Sequence, residues 1–481
     1  MEILKGIILW CILLAISTGG MTQEYFYKKY TASTYDTGNG IVQLPDFSYV
    51  VTGSSGGFDE NSSQTYLMKV SEDGSHVWTK SYGGAGNDVG VKVMHIENEG
   101  FLIAGHSTST ADGGFDFVLY KVDEQGVLQW EKMYGGSNWE ILHDAQLLQD
   151  GGAILVGQTE GPTTQGTDVF MVRTDEFGDT LWTKTISTSG ADVMYAIDTL
   201  SANEFVVGGQ IDNTGVLAKF NIDGTQEWVE SYNIDGELVI RDLSIFGQNI
   251  FAVGGIVVSS DEEYKRILKT DLDGVEEDYW VTPQLPNNMF TTVAVRDANS
   301  LFLCYTSNGD DLNPYPHGID AFLIKFFTGL YFNDFSASFS SVGNDVLNEI
   351  ILTTDGGVAI VGTSSDSDRL GESNYLGTDV MIIKIGPNDE VTVTPETGVD
   401  LVSINEEKKS DLFIYPNPVV DEVMIPGNVQ GLPFEVVDFK GAVLISGEIS
   451  DKLNVSALEA GVYFLRIKEP HVVWSARIIK Q

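Results

Sequence analysis

Cysteine is almost missing from this 481-residue chain, which has only Cys11 and Cys304. Cys11 lies in an N-terminal apolar run that reads as a leader. A processed chain therefore keeps Cys304 alone and forms no intramolecular disulfide. The six histidines, His76, His95, His106, His143, His317 and His471, show no metal-ligand spacing and have no cysteine beside them. Beyond the leader no stretch reaches the roughly 18 apolar residues that a membrane-spanning helix needs, so the mature chain is expected to have no span. A nucleophile-elbow serine, a Walker loop and a dinucleotide glycine fingerprint are all lacking. Basic residues are scarce, 27 Lys and Arg against 69 Asp and Glu, giving a formal charge of −42. Such a field repels nucleic acid and anionic lipid. The sequence thus implies no cofactor, no metal and no catalytic constellation.

At the N-terminus Lys5 precedes an apolar run from Gly6 to Ile16 and then small residues, the pattern of a secretory signal peptide spanning residues 1–22. The remainder, with 42% hydrophobic and 11% aromatic residues, can bury more than one core. Fifty-two glycines against thirteen prolines suit many short strands joined by tight turns.

An aromatic residue opens the same short strand seven times, at Phe26, Trp78, Trp130, Trp182, Trp228, Trp280 and Phe335. The separations of 52, 52, 52, 46, 52 and 55 residues suit a four-stranded propeller blade. Within one period the strands are a (Val89–Ile96), b (Phe101–Gly105), c (Phe115–Val122) and d (Val127–Tyr134). Strand b is an apolar run, as expected for burial on both faces. Strand c ends on a basic residue in all seven copies: Lys69, Lys121, Arg173, Lys219, Lys269, Lys325 and Lys384. A turn such as Asp123-Glu124-Gln125-Gly126 usually follows. In strand d, Trp78, Lys80 and Tyr82 share a face, as do Trp130, Lys132 and Tyr134, and their rings are expected to pack between blades. The first copy, Phe26 to Tyr30, is a strand d alone, and the last copy, ending at Met381 to Lys384, lacks one. Each end supplies what the other needs, so residues 23–394 are expected to form a seven-bladed β-propeller closed by the N-terminal strand. An open solenoid would leave that complementarity unused.

Strand order sends the b–c and d–a connections to one face of the disc, and the long loops are b–c loops. Long loops on a rigid scaffold carry binding sites. The candidate ligand-binding residues on that face are Trp139, Tyr315, His317, Arg369 and Tyr375, with carboxylates Asp310, Asp311, Asp366 and Asp368 nearby. Aromatic platforms beside acids suit a glycan or a protein ligand, and the reading is a non-catalytic binding propeller. The alternatives are a polysaccharide hydrolase or lyase using carboxylates of that face, and a structural adhesin. A carboxylate cluster or an Arg–Tyr–His group at the channel mouth would favour the enzyme; a flat polar face with aromatic platforms would favour binding.

After residue 394 the period stops, and residues 395–411 read as a polar linker. Residues 412–481 hold seven short strand-like segments and no cysteine, which suggests a small Ig-like antiparallel β-sandwich. Eight acids and six bases leave this segment nearly neutral, so the charge lies ahead of it. It carries Tyr415-Pro416-Asn417-Pro418, Asp438-Phe439-Lys440-Gly441, Leu453-Asn454-Val455-Ser456-Ala457-Leu458, Ala460-Gly461-Val462-Tyr463-Phe464 and the basic ending Arg477 to Gln481, which includes Lys480. In that order these motifs resemble the type A C-terminal sorting domains of type IX secretion substrates in gram-negative bacteria. His471-Val472-Val473-Trp474 is more apolar than the usual basic turn of that family. The resemblance implies export through the periplasm, a partner in the type IX secretion machinery, and release outside or attachment at the outer cell surface. Deleting Leu412 to Gln481 is accordingly expected to strand the protein in the periplasm, and unchanged protease accessibility on intact cells would refute this.

Overall fold

Each repeat offers four apolar segments that need partners on both sides, and the chain pairs each with the next. The computed structural model describes residues 25–31, 35–58, 62–109, 114–160, 166–232, 237–259, 262–281, 289–308, 319–328, 332–339, 344–365, 377–390, 396–400, 408–411, 419–425, 431–437, 443–450, 452–458, 460–468 and 472–480.

Seven antiparallel sheets follow, each in the order a-b-c-d. Blade one is Asp36–Gln43, Tyr49–Ser55, Gln64–Val70 and His76–Tyr82; blade two is Asp88–Ile96, Gly100–Ser107, Asp116–Val122 and Leu128–Tyr134. Blade three is Glu140–Leu147, Ala153–Glu160, Thr167–Thr174 and Thr180–Ile186; blade four is Val193–Ser201, Glu204–Ile211, Thr214–Asn221 and Gln226–Ser231. Blade five is Glu237–Phe246, Asn249–Ser259, Glu262–Asp271 and Glu276–Val281; blade six is Phe290–Asp297, Ser300–Asn308, Ile319–Phe327 and Phe332–Phe339. Blade seven joins Asp345–Leu352, Val358–Ser364 and Asp379–Ile385 to the N-terminal strand Phe26–Thr31. Its register runs from Phe26 opposite Lys384 to Tyr30 opposite Val380, so the ring closes as the repeat requires. Outside this strand Glu396–Asp400 pairs in parallel, with Lys28 opposite Glu396. The stretch read as a linker therefore enters the sheets at both ends, because Lys408–Asp411 pairs with the C-terminal strand.

The aromatic anchors face the basic ends of strand c: Trp78 opposite Lys69, Trp130 opposite Lys121, Trp182 opposite Arg173, Trp228 opposite Lys219 and Phe335 opposite Lys325. Blade five departs from the expected spacing. There Asp278 stands opposite Lys269, and Trp280 stands two residues further on, opposite Ile267. A two-residue step keeps a strand side chain on the same face, so Trp280 still fills the space between blades, edge-on to Phe326 at 5.4 Å.

At four seams strand d fastens one blade to the next through the following c–d turn. Tyr30 donates its hydroxyl to the Gly74 carbonyl (2.6 Å), Tyr82 to Gly126 (2.8 Å), Tyr134 to Gly178 (2.7 Å) and Tyr232 to Gly274 (2.7 Å). These glycines have φ between +74° and +79°, a backbone that side chains rarely adopt. Over Gly126 lie Trp78, Lys80 and Tyr82, leaving no room for a β-carbon. The strand-c bases are spoken for as well. Lys69 pairs with Asp46, Lys121 with Glu99, Arg173 with Asp150, Lys219 with Glu204 and Lys384 with Asp355, tying strand c to the a–b side of its own blade. Cys304 is a free thiol, fully buried in blade six, and burial pushes its pKa up.

In the C-terminal segment, five strands (Lys408–Asp411, Val472–Lys480, Gly461–Lys468, Pro433–Val437 and Val443–Glu448) form one sheet, and Glu422–Met424 pairs with Lys452–Asn454 in another. Val423, Leu453, Phe434, Val436, Leu465 and Ile478 share one core. Replacing Tyr30 by Phe leaves the buried Gly74 carbonyl without its donor. The expected cost is about 1–2 kcal/mol, read as a lower urea midpoint at constant m-value. An unchanged midpoint would show that the hydroxyl contributes nothing.

Candidate functional site at the channel axis

The seven a strands surround the axis, and each carries a β-bulge at the corresponding place. The register skips one residue in every blade: Asn39, Val91, His143, Tyr195, Arg241, Thr291 and Asn348. A bulge re-aims the side chain it leaves unpaired. All seven line an axial cavity of about 490 Å³.

The ring divides into two arcs. Asn39 donates to the Gly90 carbonyl (2.8 Å), Thr291 to Leu347 (2.7 Å) and Asn348 to Gly38 (2.8 Å), stitching each inner strand to the next. On the other arc the side chains stack. The Arg241 guanidinium lies 4.3 Å over the Tyr195 ring, and the His143 ring lies 4.7 Å from the same tyrosine. His143 Nε2 meets Gln158 Oε1 at 3.2 Å. Burial, reinforced by the Arg241 charge, lowers the His143 pKa to about 4 and keeps the ring neutral near pH 7. This arc opens into a cavity of about 470 Å³ also lined by Met289, Phe290, Thr291, Thr306 and Asn348. Phe290 begins strand a and Thr306 lies near the end of strand b, so the mouth opens on the face of the b–c and d–a connections.

Beneath the mouth lies a charged floor. Asp144 accepts a hydrogen bond from the Ile197 N–H (3.0 Å), Asp198 from Ile245 (2.9 Å), Asp242 from Val293 (2.8 Å) and Glu349 from Ile41 (2.5 Å). Each carboxylate thus satisfies a backbone donor of the following blade. Thr292 donates a further bond to Asp242 at 2.7 Å. Lys92 bridges Glu349 and Asp144, the latter at 3.4 Å. Burial opposes its charge, yet Asp144 and Glu349 hold the ammonium above the usual lysine range. Burial pushes Asp242 up to about 7 despite its hydrogen bonds. It raises Asp198 and Glu349 as well.

Of the residues proposed from sequence, Trp139 is described. It is 46% exposed, stands on the loop joining blades two and three and meets Phe115 edge-on at 5.5 Å. It is not among the axial lining residues. Tyr315, His317, Arg369 and Tyr375 lie outside the described residues, as do Asp310, Asp311, Asp366 and Asp368. The His143, Tyr195 and Arg241 group escaped sequence reasoning. Its one trace is a pair of polar residues, such as His143-Asp144 or Arg241-Asp242, where an alternating strand should have one. Among the described residues no group of three or more His, Cys, Asp or Glu side chains could hold a metal ion.

In the C-terminal segment the sorting-motif residue Gly461 pairs with Lys480 in the last hairpin, and Tyr463 packs against the core. Tyr415, Pro416, Asn417, Pro418 and Gly441 lie outside the described residues. The order of motifs and the family model for this segment agree. Residues 413–481 are a secretion system C-terminal sorting domain. The sorting domain implies engagement with the type IX secretion machinery and delivery to the cell surface or beyond. Among the described residues no helix is long and apolar enough to cross a membrane.

No curated protein matches the chain. Among solved structures, it is similar to an extracellular domain ascribed to a hybrid two component system of B. thetaiotaomicron, at 10% identity and a TM-score of 0.38 over 95% of this chain. The chain spans 58% of that domain. It is also similar to the PQQ-bound aldose sugar dehydrogenase of Streptomyces coelicolor, with 12% identity, TM-score 0.35, and 63% of this chain and 98% of that one covered. A Lactobacillus plantarum protein matches at 9% identity and a TM-score of 0.41, over 63% and 84%.

Asp242 binds its proton more tightly folded than unfolded, so its contribution to stability falls as pH rises from about 4 through about 7. Asp242→Asn removes the charge while keeping the shape. It is expected to raise Tm relative to the parent at about pH 8 and to give no such gain at about pH 4. A difference in Tm that does not change with pH would contradict the buried carboxylate.

Proposed function

We propose that this chain is a secreted propeller that binds a carboxylate-bearing glycan at the axial mouth and performs no chemistry on it. The proposal includes an Ig-like sandwich for the sorting domain. The observation that carries the reading is Arg241 stacked on Tyr195 at the rim of an otherwise acidic well. A guanidinium presents a planar fork that matches a carboxylate. Its stacking on the tyrosine limits the freedom it must lose on binding. In a chain of net charge −42, an exposed arginine at the mouth is a local attraction for an anion that the rest of the surface repels. The floor carboxylates can accept hydrogen bonds from sugar hydroxyls.

A second reading, a lyase acting on uronate polysaccharides, is favoured by the Arg–Tyr–His composition of the mouth. In that reaction Arg241 would neutralise the uronate carboxylate and the Tyr195 hydroxyl would exchange a proton with the sugar. The geometry supports binding better. His143 is neutral with a pKa of about 4, and Gln158 engages its Nε2. A general base works best with a pKa near the operating pH.

The test is an array of acidic and neutral polysaccharides probed with the mature propeller. Uronate-containing polymers are expected to bind, and Arg241→Ala to weaken them about tenfold or more. Equal capture of neutral polymers would refute the carboxylate reading. Appearance of unsaturated uronate ends would establish the lyase, and loss of all glycan binding would leave the adhesin.

A further inference from the structure

Away from the axis, several blades carry a row of polar side chains on one face, at the end from which the b–c loops leave. In blade seven the row is Asp345, Ser364 and Asp379, directly opposite one another on strands a, b and c. In blade three it is Glu140, Thr159 and Asp168. In blade one it is Asp36, Ser55 and Gln64, where an amide replaces the second carboxylate.

Two carboxylates flanking a buried hydroxyl call for a cation, and blade seven supplies one. Lys29, on the N-terminal strand, is 4% exposed and donates from Nζ to Ser364 Oγ at 2.8 Å, placing an ammonium in the row. Lys29 stands opposite Met381. The matching place in blade three is Thr185, opposite Phe170. A threonine cannot reach the row with a charge, and here the space is open. A cavity of about 540 Å³ is lined by Glu140, Thr159 and Asp168, with Met133, Tyr134 and Phe170 as its less polar walls. Glu140 is occupied, accepting from Thr159 Oγ1 (2.6 Å) and the Gly136 N–H (3.1 Å). Asp168 is 7% exposed, and its Oδ1 has no hydrogen-bond partner among the described residues. Asp168 lines this cavity, and a buried carboxylate oxygen without a donor is a costly arrangement unless something enters to meet it.

We infer that the inter-blade cavity of blade three is a receptor for a primary ammonium group, namely the lysine side chain of a partner protein, held as blade seven holds Lys29. The Asp168 carboxylate takes the charge and the threonine hydroxyls supply further acceptors. Met133, Tyr134 and Phe170 cover the aliphatic stem. That apolar wall favours a lysine over an amino sugar, which has no stem to cover. Two carboxylates are too few for a dehydrated divalent cation that seeks six to eight oxygens. This site is separate from the axial mouth, and its partner surface lies between blades two and three.

The experiment uses the mature protein and Nα-acetyl-lysine methylamide, followed by calorimetry. Saturable binding is expected, with none for the Nε-acetylated analogue. Asp168→Asn should weaken it about tenfold or more. Thr185→Lys, on an exposed strand position, gives the chain its own occupant. It should abolish binding and raise Tm by about 2 °C, which also shows that the variant is folded. Absence of binding, binding unchanged in either variant, preference for glucosamine, or stoichiometric uptake from calcium chloride would each overturn the inference.

Discussion

Four seams of the ring depend on one repeated contact: an aromatic face and a tyrosine hydroxyl of strand d pressed against a glycine in the next blade's turn. The sheet ladders alone cannot hold a disc together, because they run within blades. The seams are joined by side chains and by single backbone bonds such as that from the Glu140 N–H to the Phe115 carbonyl (2.7 Å). Glycine is required at the receiving end because its positive φ turns the carbonyl toward the tyrosine and its missing β-carbon lets the indole settle. Blade three varies the device, with Lys184 donating to the Gly224 carbonyl and Trp182 to that of Ile222. The same geometric need is met there by other donors.

That contact also explains what was legible in the sequence. Tryptophan is scarce in the chain and recurs on strand d at a nearly fixed separation, so the period, the blade count and the closing strand could be read directly. Trp280 shows where such reading is loose, since a ring two positions along a strand serves the same face and preserves the pattern while shifting the register. The axial group was hidden for the opposite reason. A bulge slips the register by one residue, and nothing in the composition of His143, Tyr195 or Arg241 announces that the backbone presents them to a common cavity. Loop residues were easier to nominate than to place. Trp139 is exposed as its loop position suggested, but the axial cavity is lined without it.

The uneven charge of the chain finds a structural counterpart in the channel. Carboxylates from four blades cap backbone donors of their neighbours, a task that needs acceptors and not charge, and Lys92 balances only part of the cost. Burial of that kind is weak support for stability and a strong constraint on geometry. It holds the inner strands at a spacing that keeps the bulged residues level with one another. The recognition chemistry at the mouth therefore rests on a frame built for a different purpose.

Blade seven borrows its outer strand from the start of the chain, and Tyr27 meets Met381 across 354 positions. A polypeptide threaded through a membrane from its N-terminus must keep that first strand waiting until the last sheet has emerged. Completion of the disc is thereby timed to the moment just before the sorting domain itself arrives. The molecule cannot finish its architecture until the element that addresses it outward is next in line, and the parallel segment Glu396–Asp400 then covers the outer edge of the first strand.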